Sequence, residues 1–443
     1  MTFQRAQARP TRLSHARALA WFVVLAGSLA TSAHAQLRLD ITQGVRDAVP
    51  IAVVPFGGQA EGGPNDVAAV IAGDLQLSGR FKPLERRDLV ARPTRGEQVR
   101  FEDWRLLKSD FLVIGHVAPD ASGLAVEFEL FNVQTGQQLL TKRLVTSERG
   151  LRATAHRIAD LIFERLTGIP GAFSTRIAYI SVDGRPPSQR YRLMVADADG
   201  FSPRIVTESS EPIMSPSWSP DGQNLAYVSF EGKASAIYVQ RLATGDRRRV
   251  SARSGINGAP SWSPDGSRLA LTLSRDGNPE IYVLRVADGS LMRLTQSPAI
   301  DTEPVWSPDG ANIVFTSDRA GGPQLYTVPA SGGQAQRLTF EGGYNASADF
   351  SPDGRRIAMV HRDAGGSYRI AVYELATRML RVISDGNQDE SPSFAPNGSM
   401  VLYASGGGKG TLSMSSVNGR VGQRLRFQEG DVREPAWSPF LPR

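Results

Sequence analysis

The stretch Trp218-Ser219-Pro220-Asp221-Gly222 recurs along the second half of the chain. It returns with its aromatic residue at positions 262, 306 and 350, weakens to Phe394-Ala395-Pro396-Asn397-Gly398, and ends as Trp437-Ser438-Pro439. The aromatic residues are spaced by 44 residues four times and then by 43. A fixed period of roughly 40 to 50 residues indicates a propeller or a solenoid array. This repeat therefore decides the class of fold.

Each repeat carries the signals of four short strands. The aromatic residue ends one strand, and Pro followed by Asp-Gly or Asn-Gly predicts a tight turn with positive φ. Three further runs follow, at 225–229, 237–239 and 249–250 in the first complete repeat. Four short strands rich in β-branched and aromatic residues make one antiparallel propeller blade. We interpret the aromatic side chain as a wedge between neighbouring blades.

The two ends of the repeat region complement each other. Residues 177–181, 191–195 and 204–207 supply three strands with no aromatic-Ser-Pro strand before them, and the final aromatic-Ser-Pro strand, near 434–439, has none after it. Joining these ends completes a sixth blade and removes two free sheet edges. The sequence therefore predicts a six-bladed all-β propeller over residues 171–443, closed by its C-terminal strand.

Residues 1–35 have the pattern of a secretory signal peptide. Four arginines precede an apolar run at 18–30, and Ala33-His34-Ala35 is a small-x-small cleavage motif. The apolar run is too short to cross a membrane. We therefore predict export to the periplasm, cleavage after Ala35 and no membrane span.

The composition argues against nucleic-acid binding and thiol chemistry. Because residues 1–35 hold four arginines and no acid, removing them lowers the formal net charge from +6 to +2. The remaining charges are mixed along the chain, without the basic stripe that phosphate binding needs. The chain has no Cys, so it forms no disulfide and offers no thiolate.

A small α/β domain is predicted over residues 36–170, between the signal peptide and the propeller. Its predicted elements are a strand at 51–56, a helix from Asn65 or Pro64 to Leu77, a three-strand meander at 111–117, 124–133 and 137–145, and an amphipathic helix at 151–166. Residues 36–48 alternate apolar and polar residues and predict an edge strand or an extended arm. The short connection after Pro170 leads us to expect that the two domains touch.

Motifs for catalysis and for metal binding are weak. His361 is the single His in the predicted ring, too few for a His-based metal site or a Ser-His-Asp triad. The Gly-rich run at 406–410 has no Ser or Thr after Lys409 and precedes no predicted helix, which argues against a phosphate-binding loop. The run 197–200 lacks the closing Glu of a calcium loop. We therefore predict no catalytic residue, no metal and no cofactor.

Acidic residues recur just ahead of the aromatic-Ser-Pro strand, where they ring one mouth of the channel if that strand is innermost. They are Glu211, Asp301, Glu303, Asp389, Glu390 and Glu434. Three interpretations are open: a binding mouth, a glycosidase-like pair of carboxylates, and a structural role in the loops. Sialidase-like repeats place Asp before Trp, whereas Trp comes first here, so the binding mouth is favoured.

Several stretches together resemble the TolB family, the periplasmic components of the Tol-Pal cell-envelope system. They are 51–56, the join that runs through 155–157, 166–173 and 176–179, and the segments 215–222, 395–398 and 435–439. Many propellers share the Trp-Ser-Pro-Asp-Gly repeat, but its combination with an exported α/β domain and a closing strand is specific. The resemblance covers nearly all of the chain after the signal peptide.

The resemblance implies a non-enzymatic adaptor that supports outer-membrane integrity and envelope constriction at cell division. It implies that the propeller mouth binds the lipoprotein Pal and that the N-terminal arm, with its domain, binds TolA; other outer-membrane proteins are further candidate partners. The implied Pal-binding residues are Asn257, Gly258, Ala259, Pro260, Asp301, Thr302, Glu303, Asn345, Ser347, Asp389 and Glu390. The implied TolA-binding arm is Gln36, Leu37, Arg38, Leu39, Asp40 and Ile41.

One position departs from the family pattern. Ile256 stands where relatives often carry a polar ring, so we expect a contact with Pal to be lost or made differently there. The alternating pattern of the arm leads to the hypothesis that its docking and the Pal site are coupled. Two other functions stay open: an exported propeller enzyme acting on glycans or peptides through Glu303 and Glu390, and an exported scaffold for a different partner.

Overall fold

The structure, a computed structural model, describes residues 48–362, 365–406, 409–425 and 430–442. These residues form an α/β region built on a five-stranded sheet, followed by a six-bladed β-propeller, and all belong to one compact unit. No helix among them is both long and apolar enough to cross a membrane. The predicted signal peptide and the predicted arm at 36–41 lie outside the described residues.

The N-terminal sheet has the strand order β2-β1-β3-β4-β5. Its elements are β1 (Val49–Val53), α1 (Val67–Leu77), β2 (Phe81–Pro83), α2 (Phe101–Leu106), β3 (Phe111–Asp120), β4 (Gly123–Asn132), β5 (Gln138–Thr146) and α3 (Leu151–Thr167), with single 3₁₀ turns at Arg86–Asp88, Gly96–Gln98 and Glu148–Gly150. β1 pairs in parallel with β2 and β3, and β3, β4 and β5 form the predicted antiparallel meander.

Helices α1 and α3 pack together against this sheet. α3 buries Ala155, Ile158 and Ile162 in one core with Ile71 of α1 and Phe128 of β4. Its amphipathic spacing predicted this helix, and the structure confirms it to within one residue at its C-terminal end.

Helix α1 begins later than predicted, at Val67 rather than near Asn65 or Pro64. The N-cap is Asp66, whose carboxylate accepts the Ala69 amide at 3.0 Å and pairs with Arg86 at 2.7 Å. A carboxylate cap satisfies one of the free amides of the first helical turn. Asp66 therefore bonds both the first helical turn and Arg86. We attribute the start of α1 at Val67 to this cap, in place of the predicted start at Pro64 or Asn65.

The propeller consists of six four-stranded antiparallel sheets. Blades one to five are β9 (Ile213–Trp218), β10 (Asn224–Ser229), β11 (Ala236–Arg241) and β12 (Arg247–Ser251); β13 (Asn257–Trp262), β14 (Arg268–Leu273), β15 (Glu280–Arg285) and β16 (Leu291–Arg293); β17 (Asp301–Trp306), β18 (Asn312–Ser317), β19 (Gln324–Pro329) and β20 (Gln336–Arg337); β21 (Tyr344–Phe350), β22 (Arg356–Arg362), β23 (Tyr368–Glu374) and β24 (Leu380–Val382); β25 (Asp389–Phe394), β26 (Met400–Ser405), β27 (Thr411–Ser416) and β28 (Gly422–Arg424). The closing blade contains β6 (Arg176–Asp183), β7 (Arg190–Asp197), β8 (Arg204–Ser209) and β29 (Asp431–Trp437).

The closing blade is assembled from both ends of the propeller, as predicted. β29 pairs antiparallel with β6 and places Trp437 opposite Ile177. The Trp437 indole donates to the Thr175 hydroxyl at 2.8 Å, and the Ser438 amide donates to the Arg176 carbonyl at 2.8 Å. The C-terminal strand therefore fastens the ring.

The repeated pentapeptide forms a turn held by its own hydrogen bonds, and the aromatic residue that begins it packs between neighbouring blades. The Trp218 indole N–H donates to the Ala436 carbonyl of the closing blade at 3.0 Å, which confirms the predicted role between blades. The Ser219 hydroxyl accepts the Asn224 amide at 2.9 Å, and the Asp221 carboxylate accepts the Gln223 amide at 3.0 Å. These bonds fix the hairpin that carries the chain from the first strand of a blade to the second.

Candidate functional site

The first strand of every blade lines a central channel. This cavity has a volume of about 900 Å³, and its lining includes residues from β9, β13, β17, β21, β25 and β29. The aromatic-Ser-Pro strand is therefore the innermost strand, as the binding-mouth interpretation required. Two features of these strands shape the channel wall. One is a β-bulge repeated in every inner strand, and the other is a set of hydrogen bonds between neighbouring blades.

All six inner strands carry a residue with positive φ three positions before their aromatic residue. These residues are Ser215 (φ 53), Ala259 (φ 46), Glu303 (φ 54), Ser347 (φ 54), Ser391 (φ 53) and Glu434 (φ 48). The register with the second strand shifts at this point in every blade. A β-bulge of this kind bends a strand and turns a side chain in a new direction. Sequence reasoning missed it, although the Pro that follows in five of the blades was a signal, because Pro inside a sheet belongs at bulges and edges.

Two of these bulge residues join neighbouring blades. The Glu303 carboxylate accepts the Ser347 amide at 3.0 Å and the Ser347 hydroxyl at 2.9 Å, and it also accepts the Thr316 hydroxyl at 2.9 Å. In the same way the Glu434 carboxylate accepts the Ser215 amide, which links the closing blade to blade one. Both carboxylates are therefore committed to holding the ring.

The channel wall also contains two carboxyl groups, Glu434 and Asp349, whose pKa lies well above the ordinary value. Burial raises the pKa of Glu434 to about 7; the hydrogen bond from Ser215 works against this shift, and the negative charges of Glu390 and Glu303 add to it. Burial likewise raises the pKa of Asp349 to about 7, although its carboxylate accepts the Phe394 amide of the next blade at 2.6 Å. Near neutral pH these two groups are therefore divided between their charged and neutral forms.

The acids predicted ahead of the aromatic residue do not share one position in their strands, although four of them line the channel: Glu303, Asp389, Glu390 and Glu434. Asp301 and Asp389 are the first residues of their strands and are buried, whereas Glu390, one residue later in β25, is exposed. Glu303 and Glu434 stand at the bulge, and Glu211 precedes β9 altogether. Successive residues of a strand face opposite sides, so a shift of one position changes the surroundings of a side chain completely.

Two of the predicted Pal-binding residues are buried amides that hold their own loops. Asn257 accepts the Ser251 hydroxyl at 2.7 Å and the Arg253 amide at 2.8 Å. Asn345 donates to Gln324 at 2.9 Å and its oxygen lies 2.8 Å from Nδ1 of His361. Both residues are fully buried, so they shape the mouth from beneath.

Asp301 and Asp389 are also buried and hold neighbouring residues through their carboxyl oxygens. Both oxygens of Asp301 accept from Arg319, at 2.9 and 2.6 Å. Asp389 accepts the Ser405 hydroxyl at 2.6 Å and the Gly386 amide at 3.2 Å. A buried carboxylate is tolerated when such partners compensate the lost hydration.

Five of the other predicted site residues line the channel, as Asp389 also does: Ala259, Pro260, Glu303, Ser347 and Glu390. Half-buried or exposed are Gly258, Ala259, Thr302, Glu303, Ser347 and Glu390, and Pro260 is buried in the channel wall. Ile256, the residue that departs from the family pattern, is 49% exposed just before β13, and Ile300 is also 49% exposed at the matching place before β17. The sequence analysis did not single out Ile300, which gives the rim a second exposed apolar side chain.

Among the described residues, one group outside the propeller channel has ligand atoms close enough to consider for a cation. Atoms of Asp74, His156 and Asp199 lie within 4.8 Å of one another. The His156 ring nitrogen Nδ1 is already 2.7 Å from Asp74, and Arg152 donates to Asp199. Each carboxylate therefore has a basic side chain as its partner, and the arrangement needs no added ion.

Two family models match this chain. Residues 163–441 match the TolB beta propeller domain, and residues 37–139 match the TolB amino-terminal domain. The chain belongs to the TolB family.

Individual TolB proteins agree with this assignment. The Tol-Pal system protein TolB of Methylococcus capsulatus is 54% identical over 249 residues, which are 56% of this chain and 58% of that protein. The Tol-Pal system protein TolB of Xanthomonas oryzae pv. oryzae is 50% identical over 247 residues, 55% of this chain and 56% of that protein. The chain thus spans a little over half the length of these curated relatives. A crystal structure of TolB from Acinetobacter baumannii is 42% identical and superposes with a TM-score of 0.83, covering 89% of this chain and 97% of that one.

Proposed function

We propose that this TolB-family protein is a non-enzymatic periplasmic adaptor of the Tol-Pal system. In this proposal the propeller mouth binds Pal, and residues 36–41 with the N-terminal domain bind TolA. The protein thereby supports outer-membrane integrity and envelope constriction at cell division. The observation that carries the proposal is the channel wall: six equivalent bulges and carboxylate bridges between blades hold the mouth in one shape. A preorganised surface binds a partner with little loss of conformational entropy.

The rim of the mouth has the composition of a protein-binding surface. Ile256 and Ile300 are exposed at matching places on adjacent blades, and Thr302, two residues after Ile300, is half-buried. Exposed apolar residues set among polar groups are typical of surfaces that bind another protein. The buried residues Asn257 and Asp301 support this rim, so we assign the direct contacts to their exposed neighbours.

The channel carboxylates do not favour the alternative of a hydrolase. A glycosidase needs one carboxyl group as acid and a second as base or nucleophile, both free to meet the substrate. Both oxygens of Glu303 are engaged by Ser347 and Thr316, so only Glu390, which is exposed, is free to meet a substrate. The Glu303→Ala/Glu390→Ala double variant tests the point, because loss of turnover on an envelope glycan or peptide would favour the enzyme.

The first test is a calorimetric titration of the purified protein with a soluble form of Pal. We expect saturable one-to-one binding that is lost in Thr302→Arg, because the added guanidinium fills the rim. The matched control is Thr244→Arg, an exposed residue in the β11–β12 turn at the opposite end of its blade. Binding that survives Thr302→Arg would move the site away from the mouth, and no heat at several salt concentrations would favour a different partner.

The arm is tested by deleting residues 36–41. We expect this deletion to abolish TolA binding, and, if the arm and the Pal site are coupled, to change the affinity for Pal as well. Wild-type affinity for Pal in the deleted protein would remove the coupling while leaving the two binding sites. Cell fractionation and N-terminal sequencing of the exported protein test the location, since periplasmic material starting at Gln36 is expected.

A further inference from the structure

A buried cluster of charged side chains lies where the N-terminal region meets the closing blade. Its centre is His156 on α3, which is 3% exposed, beside Asp74 on α1, which is 2% exposed. The blade contributes Asp197 at the end of β7 and Asp199 in the turn that follows. A void of about 20 Å³ borders Asp74 and Asp199. The channel and its mouth belong to a different part of the molecule.

The two ring nitrogens of His156 have unequal surroundings. Nδ1 lies 2.7 Å from the Asp74 carboxylate. Nε2 is buried and has no hydrogen-bond partner among the described residues. A buried polar atom without a partner is costly, so no hydrogen bond at Nε2 stabilises a second proton on the ring, and the imidazolium form depends on the carboxylates around it.

Arginine 152, one turn before His156 on α3, ties the helix to the blade. Arg152 donates to the Asp199 carboxylate, and its Nε lies 3.6 Å from Asp197. Its guanidinium also stands 3.9 Å above the Phe201 ring. The helix that carries His156 is therefore attached to the same turn of the blade through its neighbour.

The charges around His156 do not balance without a proton on the ring. The carboxylates facing it are Asp74 from α1, Asp160 from α3, and Asp197 and Asp199 from the blade; the cations of the cluster are Arg152 and Arg176. Asp160 is satisfied by the Phe173 and Ser174 amides at 2.7 and 3.2 Å. Four carboxylates thus face two guanidinium groups, and the excess is negative.

We propose that His156 is a proton-dependent clamp, whose imidazolium form holds α1, α3 and the β7–β8 turn of the closing blade together. With the proton, the ring offsets the negative excess on both sides of the junction. Without it, Asp74 and Asp199 face each other through a neutral ring, and their repulsion loosens the junction. Burial alone would lower the pKa of His156, but the charge and hydrogen bond of Asp74, with the charge of Asp199, raise it to about 9. This inference does not depend on which partners the propeller binds.

Histidine NMR and amide exchange across pH test the clamp. The ring of His156, assigned with His156→Gln, is expected to titrate near pH 9. As pH rises from about 7 to about 9.5, we expect the Phe173 and Ala198 amides at the junction to lose protection roughly 10- to 100-fold beyond the intrinsic rise in exchange. The Phe315 amide in blade three is expected to keep its protection. His156→Gln should abolish the pH-dependent loss at the junction.

The matched control is His116→Gln, which replaces a histidine of β3 that lies 3.5 Å from Glu127, away from the junction. This variant is expected to keep the wild-type pH profile. If His156→Gln does not fold, Asp199→Asn replaces it as the test, because removing the blade carboxylate should lower the titration midpoint of His156 by about one pH unit or more.

Three results would overturn the proposal. One is a His156 titration near the ordinary value of 6.5; another is an unchanged midpoint in Asp199→Asn. The third is a Zn²⁺-dependent rise in melting temperature in the wild type and its absence in His156→Gln, which would make the cluster a metal centre instead.

Discussion

Glu303 grips Ser347 of the next blade at two points, accepting its amide at 3.0 Å and its hydroxyl at 2.9 Å. The two residues stand at the same bulge position of blades three and four, so the bond joins equivalent points of neighbouring sheets. One of the two side chains that the sequence offered as catalytic acids thus acts as a connector. Its position in the channel wall ties the shape of the mouth to the stability of the ring.

Replacing Glu303 by Gln should therefore destabilise the protein. The amide keeps one acceptor oxygen but loses the charge that strengthens three hydrogen bonds, so we expect a loss of about 1 to 2 kcal/mol. Urea denaturation gives the free energy of unfolding. Glu211→Gln, at an exposed residue ahead of β9, is the control; equal stabilities of the two variants would contradict the connector role.

Replacing Glu434 by Gln should change how stability depends on pH. The folded-state pKa of Glu434, about 7, lies above the ordinary value of 4.5, so the folded protein favours the neutral carboxyl group. The contribution of this group to folding stability is therefore complete below about pH 4.5 and is lost as pH rises through about 7. Gln can still accept the Ser215 amide but never ionises. The free energy of unfolding of the variant, relative to that of the wild type, should therefore rise by about 1 to 2 kcal/mol from pH 5 to pH 8. Urea denaturation of both proteins at the two pH values measures this change. A constant difference would show that Glu434 ionises normally.

Replacing Asp301 by Asn should reduce stability without reducing the affinity of the folded protein for Pal. The change leaves Arg319 in a half-buried place without its anionic partner, which we expect to cost about 3 kcal/mol. Thermal unfolding measures the first effect, and calorimetry on the folded fraction measures the second. Thr302→Arg is the opposite case, with lost binding and near-normal stability. Lost affinity in folded Asp301→Asn would mean that this residue touches the partner.

Ending the chain after Gly430 should abolish the cooperative unfolding of the propeller. This truncation removes β29, which supplies the innermost strand of the closing blade, and exposes the edge of β6. Ending the chain after Pro439 keeps the strand and is the control. Differential scanning calorimetry should show one sharp transition for the control and none for the shorter chain. A sharp transition in both would mean that the ring closes without β29.

The repeat in the sequence was enough to predict the propeller, because each Trp-Ser-Pro-Asp-Gly segment encodes its own turn through local bonds such as that between Ser219 and Asn224. The closing strand followed from counting strands at the two ends. The N-terminal meander and α3 were predicted for a similar reason, since their periodicity is local.

The mouth was harder to predict than the ring. The bulge at Glu303 reverses the simple alternation of a strand, so sequence position no longer told which acids face the channel. Asp301 and Glu303 are two residues apart and have different roles. The pair of His156 with Asp74 joins residues 82 positions apart, a contact that only the packing of α1 on α3 creates.

The closing blade also sets the order in which the chain can acquire its shape. Arg176 and Ser438, which bond to each other in the finished ring, are 262 residues apart. The blade that begins first is thus completed last. Until β29 has been made, one edge of β6 is unpaired and can pair with a strand of another chain. Long-range pairing of this kind is slow. A carrier that keeps the chain extended until its last strand has arrived would protect the edge that the completed ring hides.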